Sequence, residues 1–178
     1  MSQSAKSSVV VLIGPPASGK SSVGPALATA LGLPFADTDA LVSQAAGKPV
    51  GDIFIDDGDA VFREHERGAV ARGLEGFGAG GGILALGSGA VLDPDVRRML
   101  ADRVVVYLEA GFGAVAKRTG FDKPRVVIPG NPRGRLRTML EERRPVYESL
   151  AALTISTDDL APQEVAAELA KRLQGEGA

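Results

Sequence analysis

Cysteine and tryptophan are both absent from this chain of 178 residues, and histidine occurs once, as His65. Without cysteine there is no disulfide, no thiolate nucleophile and no cysteine-ligated zinc. A single histidine also excludes a multi-histidine metal site within one chain. Aromatic residues make up only 4% of the sequence, too few for the stacking platforms that bind single-stranded nucleic acid. No sign of charge dominates: the formal net charge is −2, and no basic block reverses it. Nucleic acid is therefore not expected as a partner. No apolar run is long enough to span a membrane, and residues 9–13 are too short for a signal-peptide core. The expectation is a cytoplasmic protein with no membrane partner. Coiled-coil heptads are lacking too, so the expected state is a monomer.

What is present is ordinary for a globular chain, 44% hydrophobic and 24% charged. The length suits one domain over residues 1–178, with residues 1–7 as a disordered lead. One stretch stands out, Gly14-Pro15-Pro16-Ala17-Ser18-Gly19-Lys20-Ser21. It fits the phosphate-binding pattern G-x-x-x-x-G-K-[ST], which a shuffled chain of this composition matches about once in a hundred tries. Context makes chance less credible: the apolar run Val9-Val10-Val11-Leu12-Ile13 precedes it and helical periodicity follows. Glycines let the backbone wrap a phosphate with its N–H groups turned inward. The helix start adds unpaired N–H groups and the positive end of its dipole. Lys20 supplies a charge near the β- and γ-phosphates, and Ser21 offers a hydroxyl to Mg²⁺. Gly14, Ala17, Ser18, Gly19, Lys20, Ser21 and Ser22 thus form a candidate ATP or GTP site.

Apolar runs then alternate with helical patterns. Val23, Leu27, Ala30 and Leu31 recur at helical spacing until Gly32 stops the helix. Residues 33–36 read as a short strand delivering Asp37-Thr38-Asp39, and a helix over 40–46 follows. Residues 53–55 read as one helical turn, and Asp59 caps a helix reaching about residue 74. The glycine-rich stretch 76–82 reads as a flexible connector. A strand over 83–86 runs into Gly87-Ser88-Gly89, and Asp93 with Pro94 opens a helix to residue 101. Residues 104–108 form a fourth strand and 113–118 a short helix. Residues 119–134, polar and rich in glycine, proline and basic side chains, read as a mobile loop that serves as a lid. A helix over 135–150 should kink or restart at Pro145. A fifth strand (153–156) and a closing helix (162–173) complete an α/β fold. The expectation is a doubly wound, five-stranded parallel sheet with helices on both faces and ligands at the carboxyl ends of its strands.

Two carboxylates, Asp37 and Asp39, lie at such an end and can divide labour, one near Mg²⁺ and one at a substrate hydroxyl. Capping the next helix competes for Asp39, whereas Asp37 has no helix to cap so directly. Arg63 could clamp an acidic substrate through its forked guanidinium. Periodicity alone favours a helical ion pair with Glu66 or Asp59 instead. The amides of Gly87-Ser88-Gly89 suit a carboxylate, or merely a turn.

Taken together these pieces resemble shikimate kinase, among the P-loop kinases. The matching residues are Gly14 to Ser21, Asp37-Thr38-Asp39, Asp52-Ile53-Phe54, Phe62-Arg63 with Glu66, Gly87-Ser88-Gly89-Ala90-Val91, Val105-Val106-Tyr107-Leu108, Arg118-Thr119-Gly120, Arg125 and Arg143-Arg144-Pro145-Val146-Tyr147. The resemblance implies ATP-dependent phosphorylation of the 3-hydroxyl of shikimate, with Mg²⁺, in chorismate biosynthesis. It implies that Lys20, Asp39 and Arg125 are catalytic, and that Ser21 and, through water, Asp37 serve the metal. Arg118 and Pro162 would flank the adenine. Arg63 and Arg143 would clamp the shikimate carboxylate, helped by amides of Gly87, Ser88 and Gly89, and Asp39 would hold ring hydroxyls. A related gluconate-type kinase and a nucleotide-binding protein without catalysis are the alternatives. Two departures stand out. The family usually has glycine where this chain has Ser88, which would cost about 1–2 kcal/mol if that position needed positive φ. Arg125 is followed by Val126-Val127-Ile128, where the family commonly shows Pro-Leu-Leu.

Overall fold

Strand β1 (Val10–Ile13) is buried along its whole length, which is why it carries no polar side chain. The computed structural model describes residues 9–121 and 130–175. After β1 come α1 (Lys20–Leu31), β2 (Phe35–Asp37), α2 (Thr38–Ala46), α3 (Val50–Asp56) and α4 (Asp59–Gly76). The chain continues through β3 (Ile83–Ala85), α5 (Pro94–Met99), β4 (Val104–Glu109) and α6 (Phe112–Arg118). It closes with α7 (Pro132–Leu150), β5 (Leu153–Ser156) and α8 (Pro162–Gly175). The five strands pair in parallel in the order β2-β3-β1-β4-β5.

Alternation along the strands sends successive side chains to opposite faces, and each face has its own core. Val10, Leu12, Val106 and Leu108 pack with Val23 and Leu27 of α1 and Val165 and Leu169 of α8. Val11, Ile13, Val105 and Tyr107 pack with Val70 of α4, Val96 of α5 and Tyr147 of α7. A third cluster, Val42, Ile53, Phe62 and Ala69, knits α2, α3 and α4 together. Helices thus cover both faces, as expected for strands with apolar residues on both sides. Among the described residues no helix is long and apolar enough to cross a membrane.

Several boundaries differ from expectation, each for a local reason. Helix α2 begins at Thr38 because Asp37, not Asp39, is its cap: the Asp37 carboxylate accepts from the Asp39 amide at 2.9 Å. The expected connector after residue 76 contains a short 3₁₀ turn, Gly78–Gly80. Helix α7 starts at Pro132, inside the stretch read as lid, where proline suits the first turn and the Asn131 side chain accepts from Gly134 N–H. Pro145 does not end α7. It is exposed, as is Glu141, whose carbonyl loses its helical partner there, so water can serve that carbonyl. The expected lead 1–7 and most of the expected lid, 122–129, lie outside the described residues.

Because all strands run the same way, their carboxyl ends share one edge of the sheet. The phosphate-loop motif follows β1 there, Asp37 ends β2, Gly87 to Gly89 follow β3, and Thr157 follows β5.

Candidate active site

The loop after β1 is shaped by three left-handed positions. Gly14 has φ +152°, Ala17 +57° and Gly19, the residue before α1, +98°. Among the described residues Ala17 alone adopts positive φ without being glycine, at a cost of about 1–2 kcal/mol. Ser18 is fully buried, and its N–H donates to the Pro15 carbonyl at 3.2 Å. The Lys20 ammonium is folded back across the loop, donating to the carbonyls of Gly14 at 2.9 Å and Pro15 at 2.8 Å. Enclosure lowers its pKa to about 8, a drop that Asp39 and Asp37 oppose and Arg143 reinforces. Lysine nonetheless keeps some surface on the cavity.

Glycine is needed at position 14 for space as well as for conformation. A Cβ there would lie 2.5 Å from the main-chain oxygen of Leu108 in β4, which the sheet cannot yield. Gly14→Ala is expected to destabilise the fold by about 3 kcal/mol and to abolish nucleotide binding. A shifted urea midpoint alongside calorimetric titration with ATP would check both.

Opposite Lys20, the Ser21 hydroxyl donates to the second Asp37 oxygen at 2.9 Å. The pKa of Asp39 is raised, by desolvation first and the neighbouring Asp37 charge second, with Lys20 acting against them. Thr38, fully buried between the two acids, accepts from the Gly87 N–H at 2.9 Å. The Gly87 amide is therefore already engaged, so an amide contribution to an acceptor falls on Ser88 and Gly89. Gly87 matters instead through its missing side chain. A Cβ there would come within 2.8 Å of Asp39 Oδ1 and 3.0 Å of Glu66 Oε1.

Ser88 is absent from the positive-φ residues, so the backbone penalty weighed for serine does not arise. Arg63 lies beside this turn, and a Cβ on Gly89 would meet its guanidinium at 2.9 Å. Arg63 also pairs with Glu66 at 2.7 Å and with Asp59 at 3.5 Å. The ion-pair reading of Arg63 is thus realised, with the guanidinium also set against the Gly89 turn. Glu66 is buried, and desolvation raises its pKa against the pull of Arg63.

At the far end, Arg118 donates to the Ala17 carbonyl at 3.0 Å, to Thr157 Oγ1 at 3.1 Å and to the Thr157 carbonyl. Thr157 is buried and in turn donates to the Glu109 carbonyl at 3.2 Å. Neither Thr157 nor Thr38 was singled out from the sequence for a role of its own. The available signal was position, since each directly follows a strand at the carboxyl edge.

One cavity of about 640 Å³ joins these parts, a size that suits a small-molecule site. Ala17, Ser18, Gly19, Lys20, Ser21, Ser22, Asp37, Asp39, Ser88, Arg118 and Pro162 line it. Gly14, Arg63, Gly87 and Gly89 do not line it; Gly87 lies against Asp39, and Arg63 against Gly89. Arg143 is near enough for its charge to act on both Lys20 and Tyr147. Arg125 is outside the described residues.

Comparison with known proteins agrees over nearly the whole chain. The shikimate kinase family model matches residues 16–174. The shikimate kinase of Thermobifida fusca is 48% identical over 169 residues, 95% of this chain and 96% of that one. That of Salinispora arenicola is 46% identical over 165 residues, 93% and 97% of the two chains. Among solved structures, the shikimate kinase from Acinetobacter baumannii in complex with shikimate matches with a TM-score of 0.81 at 30% identity. That match covers 95% of this chain and 94% of the other.

Proposed function

The chain belongs to the shikimate kinase family of phosphotransferases, and from this we propose that it transfers the γ-phosphoryl group of ATP to the 3-hydroxyl of shikimate, releasing shikimate 3-phosphate and ADP. The observation that carries the reading is one cavity lined both by the phosphate-loop residues Ala17 to Ser22 and by Asp37, Asp39 and Ser88. Arg63 leans on the Gly89 backbone beside it.

Loop amides and Lys20 would hold the ATP phosphates, and the adenine would lie between Arg118 and Pro162. Arg118 suits that task because its bonds to Thr157 and Ala17 fix its guanidinium in place. Ser21 and Asp37 fit Mg²⁺: they are hard oxygen donors 2.9 Å apart, and this ion keeps several waters and needs few protein ligands. When bound, the ion neutralises charge on the β- and γ-phosphates. Asp39 would orient the attacking hydroxyl and take up its proton. Arg63 and Arg143 would fork onto the carboxylate, with the Ser88 and Gly89 amides beside them. For Arg125 we propose the cation over the transferring phosphoryl group, supported by its match to the family pattern. We further propose that the working form is a cytoplasmic monomer of one domain.

A coupled ADP-release assay across shikimate, gluconate, quinate and nucleoside monophosphates tests the reading. Strong turnover with shikimate alone is expected, and comparable turnover with gluconate would overturn it. The gluconate alternative is not favoured, since relatives over nearly the full length are shikimate kinases. Arg63→Ala should raise the KM for shikimate about 10–100-fold, the effect of losing a charge-assisted hydrogen bond, with a much smaller change for ATP. Steady-state kinetics with each substrate varied in turn would separate the two.

A further inference from the structure

The turn after β3 must hold its amides still to be of use to a carboxylate, yet it lies beyond the end of the strand ladder. Four bonds organise it. Gly87 N–H donates to Thr38 Oγ1 at 2.9 Å, and Ala90 N–H donates to the Gly87 carbonyl at 3.1 Å. Leu92 N–H donates to the Gly89 carbonyl at 3.0 Å. The fourth comes from far away in sequence: the Tyr147 hydroxyl donates to the Ser88 carbonyl at 2.6 Å.

Tyr147 is fixed by its packing. It is 1% exposed, and its ring stacks on Tyr107 of β4 with centroids 5.2 Å apart and planes 24° from parallel. Burial raises its pKa, so the phenol stays protonated and remains a donor at neutral pH. Tyr147 also sits one helical turn after Arg143 on α7, on the same face. Between them lies Pro145, which removes the N–H that would have bonded the Glu141 carbonyl. The last turns of α7 therefore depend on tertiary contacts for their alignment with the sheet.

We propose that Tyr147 is a positioning residue for the acceptor half of the site. Its hydroxyl ties α7 to the Ser88 carbonyl and so keeps the Ser88 and Gly89 amides in register with Arg143. This rests on the shikimate reading above. It adds that the carboxylate clamp, built from two distant parts of the chain, is assembled by one phenol.

Tyr147→Phe is the test, because it keeps the ring and its stack and deletes one oxygen. The KM for shikimate should rise about tenfold, the effect of one lost hydrogen bond that leaves a carbonyl unpaired, while the KM for ATP stays within twofold. An unchanged shikimate KM, or a parallel rise in both, would overturn the proposal, since a merely structural tyrosine would not separate the substrates. A second measurement does not depend on which acceptor is used. In ¹⁵N relaxation of the unliganded protein, the order parameters of the Ser88 and Gly89 amides should fall from about 0.85 toward 0.6 in the variant. Equal order parameters in both proteins would overturn it as well. If the wild-type protein failed to phosphorylate shikimate, the functional reading would fall and the relaxation result would still decide the role of Tyr147.

Discussion

Lys20→Ala is expected to cut turnover about 10³-fold, the scale of losing one charge aimed at a developing anion in a site shielded from water. Two effects add in the same direction. The variant loses the cation proposed to lie beside the β- and γ-phosphates, and it loses the donor that laces Gly14 and Pro15 together. A coupled assay at saturating ATP and shikimate would measure the loss, and full activity would remove the phosphate loop from the mechanism. The wild-type pH profile carries the same signature. Burial lowers the Lys20 pKa to about 8, so kcat/KM for ATP should fall on the alkaline side as that proton leaves the free enzyme. Bound phosphates favour the charged form, so the limb in kcat should lie at higher pH. The lowered pKa also has a stability consequence. Between about 8 and the ordinary lysine value of 10.5 the unfolded chain binds more protons than the folded one. The contribution of Lys20 to stability therefore rises with pH across that window.

Asp39→Asn is the second large effect, expected to lower kcat about 10²–10⁴-fold, the range for removing a general base, with little change in the KM for ATP. In its proposed role as base Asp39 must be ionised to act, and desolvation followed by the Asp37 charge raises its pKa. The acid limb of kcat/KM should thus lie above the range of an ordinary carboxylate, and Asp37→Asn should move it down. The same shift carries a cost in stability. A carboxyl whose pKa is higher folded than unfolded loses stability as pH rises through that interval. Ionising Asp39 at neutral pH should therefore cost the fold some stability. Asp39→Asn should therefore be more stable than the wild type at pH 7 while nearly inactive. Urea titration beside the activity assay checks both, and a variant both less stable and fully active would contradict this account.

Much of this was legible in the chain because it is local. A five-residue apolar run followed by the phosphate-loop pattern needs no distant partner to be read, and the five strands announced themselves in the same way. The acidic pair was legible as chemistry but not as geometry. Whether Asp37 or Asp39 caps α2 depends on where the chain leaves the extended conformation of β2, and in the structure it does so after Asp37, two residues earlier than expected. Arg63 looked like a choice between ion pair and ligand clamp, but a guanidinium has five donors and can face Glu66 and the Gly89 turn together. Thr157 and Thr38 were hidden for another reason. Their hydroxyls matter only because β5 ends beside α6 and β2 ends beside β3, contacts that exist once the sheet is ordered. The Tyr147 bond, across 59 residues, belongs to the same class.

The tie from Arg118 to Ala17 gives the cavity a property that its two ends lack separately. The guanidinium proposed as one wall for the adenine also holds the oxygen of the single strained alanine in the phosphate loop. A base that stacks poorly on Arg118 would do more than bind weakly, because its misfit would pass through that oxygen to the amides that aim the γ-phosphate. Discrimination among nucleotides would then register as misdirected phosphate, in kcat, and not only as lost affinity.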